Sequence, residues 1–287
     1  MTPPRSVSPP PNAITPGLYL VATPIGNLRD ITLRALDVLG AVDLVLAEDT
    51  RVAGKLLAAH GLKARLQRYD EHAAAQARPR ILADLAAGAA IALISDAGTP
   101  LISDPGYRLA REAAAQGSAV IPIPGPSATL AALAVSGLPT DRFLFAGFPP
   151  AKTAGRRALF EELAHVRATL IFFEGGSRLA ASLADMAAVF GPRDAAVARE
   201  LTKLHETVVR APLDVLATDP RFAAPKGEIV VLVGPGEDAA VTPEQADAAL
   251  AEALTRAGPA DAAAEVSKAL GLPRREHYAR ALALRGH

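Results

Sequence analysis

The chain has 287 residues, half of them apolar, enough to bury a sizeable core and to divide into two domains. Lysine plus arginine and aspartate plus glutamate both number 30, which argues against a chain wrapped wholesale in nucleic acid but leaves room for a local basic patch. With no cysteine there is no disulfide framework, thiolate zinc site or cysteine nucleophile, and a reducing cytoplasm fits.

Residues 1–16 hold six prolines and no apolar run, so they lack a secretory h-region and read as a disordered arm. Residues 17–22 form a first strand, followed by the turn Thr23-Pro24-Ile25-Gly26-Asn27-Leu28. A helix over 32–39 and a short strand over 44–47 lead into Glu48-Asp49-Thr50-Arg51, with further helices at 52–60 and 73–87. Residues 91–94 are a continuous apolar run without alternation, the mark of a parallel strand buried on both faces. The loop Ser95-Asp96-Ala97-Gly98-Thr99-Pro100 follows it. Asp104 is expected to cap the next helix, with Pro105 at its first position. A strand at 119–123 then turns through Pro124-Gly125-Pro126-Ser127 into a helix ending near Gly137. Strands alternating with helices in this way predict βαβ units and a parallel sheet.

A boundary falls at 138–141, and a second α/β unit begins at Phe143. Its strands are expected at 143–146, 169–173, 195–199, 206–210 and 228–233, and its helices at 155–164, 178–190 and 213–217. The strands at 195–199 and 206–210 are too close for a parallel crossover, so this sheet should be mixed. After Gly234-Pro235-Gly236 the chain is alanine-rich and helical, at 243–256, 261–270 and 273–284. The link Gly271-Leu272-Pro273 suits a helix-turn-helix. The predicted organisation is an arm at 1–16, α/β domains at 17–138 and 139–237, and a helical tail at 243–287. No run approaches the roughly 20 apolar residues of a membrane helix, so a soluble protein is expected.

No P-loop, no glycine-rich dinucleotide fingerprint after the first strand and no nucleophile elbow is present, and the histidines lack metal spacing. What remains are small-residue loops at strand ends, around Pro24, Gly98 and Pro126. One such loop can be mere punctuation. Three at corresponding strand ends suggest a cleft of backbone groups for a small polar cofactor. Glu48-Asp49-Thr50-Arg51 could take part in proton transfer, or Asp49 could cap a helix while Arg51 pairs with an acid. Arg199-Glu200-Leu201-Thr202-Lys203 carries the same two readings. Lys152, Arg156 and Arg157 form a basic loop. The tail carries Lys268, Arg274, Arg275, Arg280 and Arg285 against Glu276, a set that contacts phosphates or simply lines a solvated face.

These motifs together resemble the ribosomal RNA small subunit methyltransferase I family. The resemblance rests on Leu20-Val21-Ala22-Thr23-Pro24-Ile25-Gly26-Asn27-Leu28, Ala47-Glu48-Asp49-Thr50-Arg51, residues 95–107, Pro124-Gly125-Pro126-Ser127 and Ala198-Arg199-Glu200-Leu201-Thr202-Lys203, in family order. It implies the tetrapyrrole-methylase fold, a homodimer with S-adenosylmethionine in the cleft between two α/β domains. It also implies methyl transfer to a cytidine ribose 2′-hydroxyl in the decoding region of 16S ribosomal RNA, with RNA contacts from the helical tail. By family match, Glu48, Asp49, Arg51 and Glu200 are expected at the chemistry. Pro24, Gly26, Asp96, Gly98, Leu101, Ile102, Ser103, Ser127 and Ala128 are expected to hold the donor. Phe173, Leu201 and Ile229 should cover its adenine, and no metal is expected. After Phe172-Phe173-Glu174 relatives often carry His-Arg where this chain has Ser177-Arg178, so that segment is expected to shape the pocket wall. The alternatives are a tetrapyrrole carbon methyltransferase of the same fold and a non-catalytic RNA-binding assembly factor.

Overall fold

The computed structural model describes residues 14–102, 106–236, 243–270 and 274–285. It divides into a unit ending at Pro235 and a unit beginning at Gly236.

The first sheet contains β1 (Gly17–Val21), β2 (Leu44–Ala47), β3 (Leu66–Arg68), β4 (Ala90–Ile94) and β5 (Val120–Ile123), all parallel, in the order β3-β2-β4-β1-β5. The reason β2 and β4 read as unbroken apolar runs is visible in their packing. Leu18, Leu44, Leu46, Ile91 and Leu93 point to one face and meet Ile81, Leu82 and Leu85 of α3 (Glu71–Ala86) and Leu109 of α4 (Tyr107–Ala115). Tyr19, Val21, Val45 and Ile94 point to the other and meet α1 (Leu33–Ala41) and α2 (Thr50–Ala59) through Val38, Leu39, Leu56 and Leu57. A strand covered on both sides has no polar face to alternate with.

The second sheet is mixed, in the order β6-β7-β10-β8-β9: β6 (Phe143–Gly147), β7 (Thr169–Gly175), β8 (Asp194–Arg199), β9 (Thr207–Pro212) and β10 (Glu228–Val233). Only β6 and β7 pair in parallel, and β8 and β9 form the expected antiparallel pair. One face is covered by α6 (Thr153–Leu163), α7 (Gly176–Phe190) and α8 (Leu213–Thr218), with Phe160, Leu183 and Met186 in its core. The other face receives α5 (Ala128–Ser136), whose Ala132 and Leu133 pack with Ile171, Ala198, Val230 and Leu232. Helix α5 leaves the first sheet and covers the second, and this locks the two sheets into one compact unit.

Two expectations need revision, and a third falls mostly outside the described residues. Strand β3 was not anticipated, because Leu66-Gln67-Arg68 is a short, half-exposed edge with no apolar run. Helix α4 starts at Tyr107 behind Gly106, later than a cap at Asp104 would place it; Ser103, Asp104 and Pro105 lie outside the described residues. Of the expected disordered arm only 14–16 are described, and there the Tyr19 hydroxyl donates to the Thr15 carbonyl at 2.7 Å.

The second unit consists of α9 (Pro243–Leu254), α10 (Pro259–Leu270) and α11 (Arg274–Arg285) around Leu250, Ala253, Ala262, Val266 and Ala281. The Arg280 guanidinium bonds Asp247 at 2.7 Å, tying α11 to α9. The link Gly271-Leu272-Pro273 lies outside the described residues. No described helix is long and apolar enough to cross a membrane.

Candidate functional site

Beyond the carboxyl ends of β4, β1 and β5 the small-residue loops are tied to one another. Thr23 and Gly98 exchange backbone hydrogen bonds at 2.9 and 3.0 Å, and the Thr23 hydroxyl donates to the Ser95 carbonyl at 3.1 Å. The Ser95 hydroxyl donates to the Gly98 carbonyl at 3.0 Å, and Thr99 reaches the Pro126 carbonyl at 3.2 Å. Loop 95–102 is therefore held by its neighbours on both sides, and Leu101 adopts a left-handed φ of 72° that a non-glycine residue keeps only under such restraint.

These loops and the facing edge of the second sheet enclose a cavity of about 370 Å³, within the range of small-molecule sites. Its floor is Asp96, Gly98, Thr99 and Ile102, one wall is Ser127, Ala128 and Thr129, and the facing wall is Phe173, Leu201 and Ile229. Phe148 and Phe145 meet the Phe173 ring edge-on at 5.5 and 4.7 Å, building an aromatic side to the space. The Ser127 hydroxyl caps α5 by accepting from the Leu130 amide at 3.4 Å. The buried Thr129 hydroxyl has no hydrogen-bond partner among the described residues.

The charge lining the cavity has one sign. Among the described residues Asp96, Glu174 and Glu228 are its ionisable residues, and no lysine, arginine or histidine joins them. Glu174 is buried and accepts from the Gly175 amide at 2.8 Å and pairs with Arg178 at 2.6 Å. Asp96 accepts from the Asp49 amide at 3.1 Å, which ties the end of β2 to the cavity floor. Arg178 and Lys203 already offset Glu174 and Glu228, so Asp96 is the lining carboxylate without an ion-pair partner among the described residues, and it gives this largely apolar space one place suited to a cationic group.

At the end of β2 the acids divide by role. Asp49 caps α2, accepting from the Arg51 amide at 2.8 Å, and also grips the Arg51 guanidinium at 2.6 Å. Those bonds hold its carboxyl far below the usual carboxylate range. Glu48 differs. Burial first, and then the negative charges of Asp96, Asp70 and Asp49, push its carboxyl above the ordinary 4.5. Nothing among the described residues hydrogen-bonds or ion-pairs with it. A half-buried, unpaired carboxylate of raised pKa beside a cavity is equipped to accept a proton.

Pro24, Gly26 and Leu101 do not line the cavity: Pro24 is buried in the turn beneath it, and Gly26 faces loop 199–206 instead. Ser103 lies outside the described residues. Glu48, Asp49, Arg51 and Glu200 stand outside its lining, although Glu200 contacts Gly227 and Glu228, which are part of it. Ser177 is exposed and takes no part in the wall. Thr129, Phe148 and Gly227 were missed. Phe148 had a signal, since Gly147-Phe148-Pro149-Pro150 is a strand-end loop of the same small and rigid kind as the others. The basic loop also changes meaning: Arg156 is buried against Asp185, with Nε at 2.7 Å, and Arg157 pairs with the same carboxylate.

Comparison with known proteins follows the same lines. The family model for Tetrapyrrole (Corrin/Porphyrin) Methylases matches residues 17–217, and that for the RsmI C-terminal HTH domain matches residues 240–285. The Ribosomal RNA small subunit methyltransferase I of Mesorhizobium japonicum is 51% identical over 280 residues, covering 96% of this chain and 95% of that protein. Its namesake in Erythrobacter litoralis is 52% identical over 272 residues, covering 95% and 96%. Among solved structures, diphthine synthase matches with a TM-score of 0.59 at 16% identity, over 76% of this chain and 89% of that one. The uroporphyrin-III-C-methyltransferase of Thermus thermophilus matches with a TM-score of 0.54 at 22% identity, over 75% and 93%. Those two likenesses speak for the fold alone. The extent and identity of the sequence matches place the chain in the ribosomal RNA small subunit methyltransferase I family, within the tetrapyrrole methylases.

Proposed function

We propose that this chain transfers the methyl group of S-adenosylmethionine to the 2′-hydroxyl of a cytidine ribose in the decoding region of 16S ribosomal RNA. The observation that carries the proposal is the cavity, an apolar space whose charged lining is all carboxylate. The donor's sulfonium and ammonium groups are cations and its adenine is a flat apolar ring. Asp96, which has no ion-pair partner among the described residues, fits the first need, and Phe173, Leu201 and Ile229 fit the second. Bound there, the donor supplies an electrophilic methyl carbon.

The chain's own residues then have three tasks. Loop 95–102 and α5 fix the donor, so that much of the rate comes from holding the two reactants in line. Glu48 accepts the proton of the attacking hydroxyl, a poor nucleophile until that proton leaves. Asp49 keeps Arg51 in place with its guanidinium exposed, where it meets the ribose or its phosphate. In the helical tail, exposed Lys268 and Arg275 serve as phosphate contacts. The partner is 16S ribosomal RNA, free or in the small subunit, the working form is a homodimer, and the setting is the cytoplasm.

The test is incubation of the purified chain with labelled S-adenosylmethionine and small subunits lacking the modification, followed by nuclease digestion. Label on a cytidine ribose supports the proposal. Label on a base or on no nucleotide refutes it. Label entering a porphyrinoid instead identifies a tetrapyrrole carbon methyltransferase, and subunit binding without donor binding identifies an assembly factor.

A further inference from the structure

We infer that Glu200 and Lys203 are positioning residues, forming a strut that sets the width of the donor cavity, and that Glu200 is not the base for the reaction. The inference rests on the donor reading of the cavity given above. Loop 199–206 joins β8 to β9, and two of its non-glycine residues, Glu200 and Thr202, hold left-handed φ angles of 52° and 67°. Such a backbone persists only where surrounding contacts over-determine it.

Those contacts run to both halves of the cavity. Toward the second sheet, Glu200 and Glu228 exchange bonds: the Glu200 amide donates to the Glu228 carbonyl at 2.9 Å, and the Glu228 amide donates to the Glu200 carboxylate at 3.0 Å. The Lys203 ammonium closes the triangle, 2.8 Å from Glu200 and 3.1 Å from Glu228. Toward the first sheet, the Asn27 amide donates to the Thr202 hydroxyl at 3.1 Å. The Lys203 stem lies so close to Gly26 that a Cβ there would come within 2.4 Å of its Cγ. Gly227 is constrained likewise: with φ of +100°, an added Cβ would stand 2.4 Å from the Glu200 carboxyl carbon. Leu201, between the two anchors, is buried and lines the cavity beside Gly227 and Glu228.

This geometry anchors Glu200. Its Oε1 accepts from the Lys203 ammonium and the Glu228 amide, and those two donors hold the carboxyl below its ordinary range, which makes it a poor acceptor for a hydroxyl proton. What the carboxylate does instead is fix Leu201 and the start of β10 relative to the turn after β1. The work of the pair is mechanical.

The test compares Glu200→Gln, Glu200→Ala and Lys203→Met with the unsubstituted chain, using calorimetric titration with S-adenosylmethionine, the pH profile of methyl transfer, and amide hydrogen exchange of the ligand-free protein. Expected are a donor dissociation constant raised about tenfold in Glu200→Ala and Lys203→Met, and less in Glu200→Gln, whose amide oxygen still accepts from Glu228. The acid limb of the pH profile stays in Glu200→Gln. Exchange at the Asn27, Leu201 and Glu228 amides quickens in Glu200→Ala and Lys203→Met. Unaltered donor affinity together with loss of the acid limb in Glu200→Gln makes Glu200 the base and overturns the inference. Unaltered exchange at all three amides overturns the strut whether or not the donor binds. Absence of any heat with the unsubstituted chain speaks against the donor reading instead.

Discussion

Replacing Glu48 with glutamine preserves shape and removes the basic oxygen. Among the described residues Glu48 bonds to nothing, so the change breaks no network. A positioned general base is worth roughly 10²- to 10⁴-fold in rate. A fall of about a thousandfold in the transfer step is expected, about 4 kcal/mol of barrier at about 1.4 kcal/mol per tenfold. Because Glu48 stands outside the cavity lining, donor affinity should move by no more than about twofold. Two further signatures follow from its raised pKa. Transfer by the unsubstituted chain should lose rate as pH falls through that raised value, and the glutamine variant should lack this limb. A folded pKa above the unfolded one means the contribution to stability is complete below the ordinary 4.5 and is lost as pH rises through the folded value. At neutral pH the ionised group therefore opposes folding, and Glu48→Gln should melt higher than the parent. Single-turnover transfer of labelled methyl to hypomethylated subunits, read against pH, isolates the chemical step. A variant within about threefold of the parent, or one that keeps the acid limb, would refute the reasoning.

Asp96→Asn should weaken S-adenosylmethionine more than the uncharged thioether product, because the cavity's carboxylates recognise the sulfonium; equal losses by calorimetry would count against that origin of affinity. Phe148 is 56% exposed yet forms the aromatic side of the cavity, so Phe148→Ala should cost about tenfold in donor affinity while leaving thermal stability nearly unchanged. Thr129→Val should raise stability by about 1 kcal/mol, since the threonine hydroxyl is buried without a partner among the described residues; a lower melting temperature would show that a partner exists. Asp185→Ala should destabilise by about 3–5 kcal/mol, about 10 °C in melting temperature, because it strands the buried Arg156. Burial alone pushes the Asp185 carboxyl up, but hydrogen bonds from Arg157 and Arg156 outweigh it and hold it below 3.8. The pair's contribution is thus present above that value and drains away as pH falls through the lower folded one, which acid melts of parent and variant compare.

The fold was legible where burial forces composition. Residues 91–94 read as a parallel strand because Ile91 and Leu93 face α3 and α4 while Ala92 and Ile94 face α1 and α2. The antiparallel turn of β8 into β9 was legible from spacing, because the few residues between them cannot make a crossover. Strand β3 was hidden for the converse reason, as an edge strand of three half-exposed residues needs neither an apolar run nor alternation. The placement of α5 was hidden too. Its alanines and leucines announce burial but not the sheet that buries them, and only the fold shows that it leaves one sheet to cover the other.

The site was legible as chemistry but not as a division of labour. Residue type marks Glu48, Asp49 and Glu200 alike as acids at strand ends. What separates them is the hydrogen bonds they have already made. Asp49 is taken by a helix cap and Arg51, Glu200 by Lys203 and a backbone amide, and both carboxyls are held below their ordinary values by those donors. A carboxylate stabilised in its charged form is a weaker base and a firmer anchor. Glu48 has burial and three neighbouring negative charges where the others have donors, so the surroundings that make it costly to ionise also make it the acid best disposed to hold a proton. The same sequence feature thus supplies two anchors and one reactive group, and partners distant in sequence decide which is which: Asp96 is brought to the end of β2 through the adjacent strand β4, and Glu228 to Glu200 through the β8–β10 ladder.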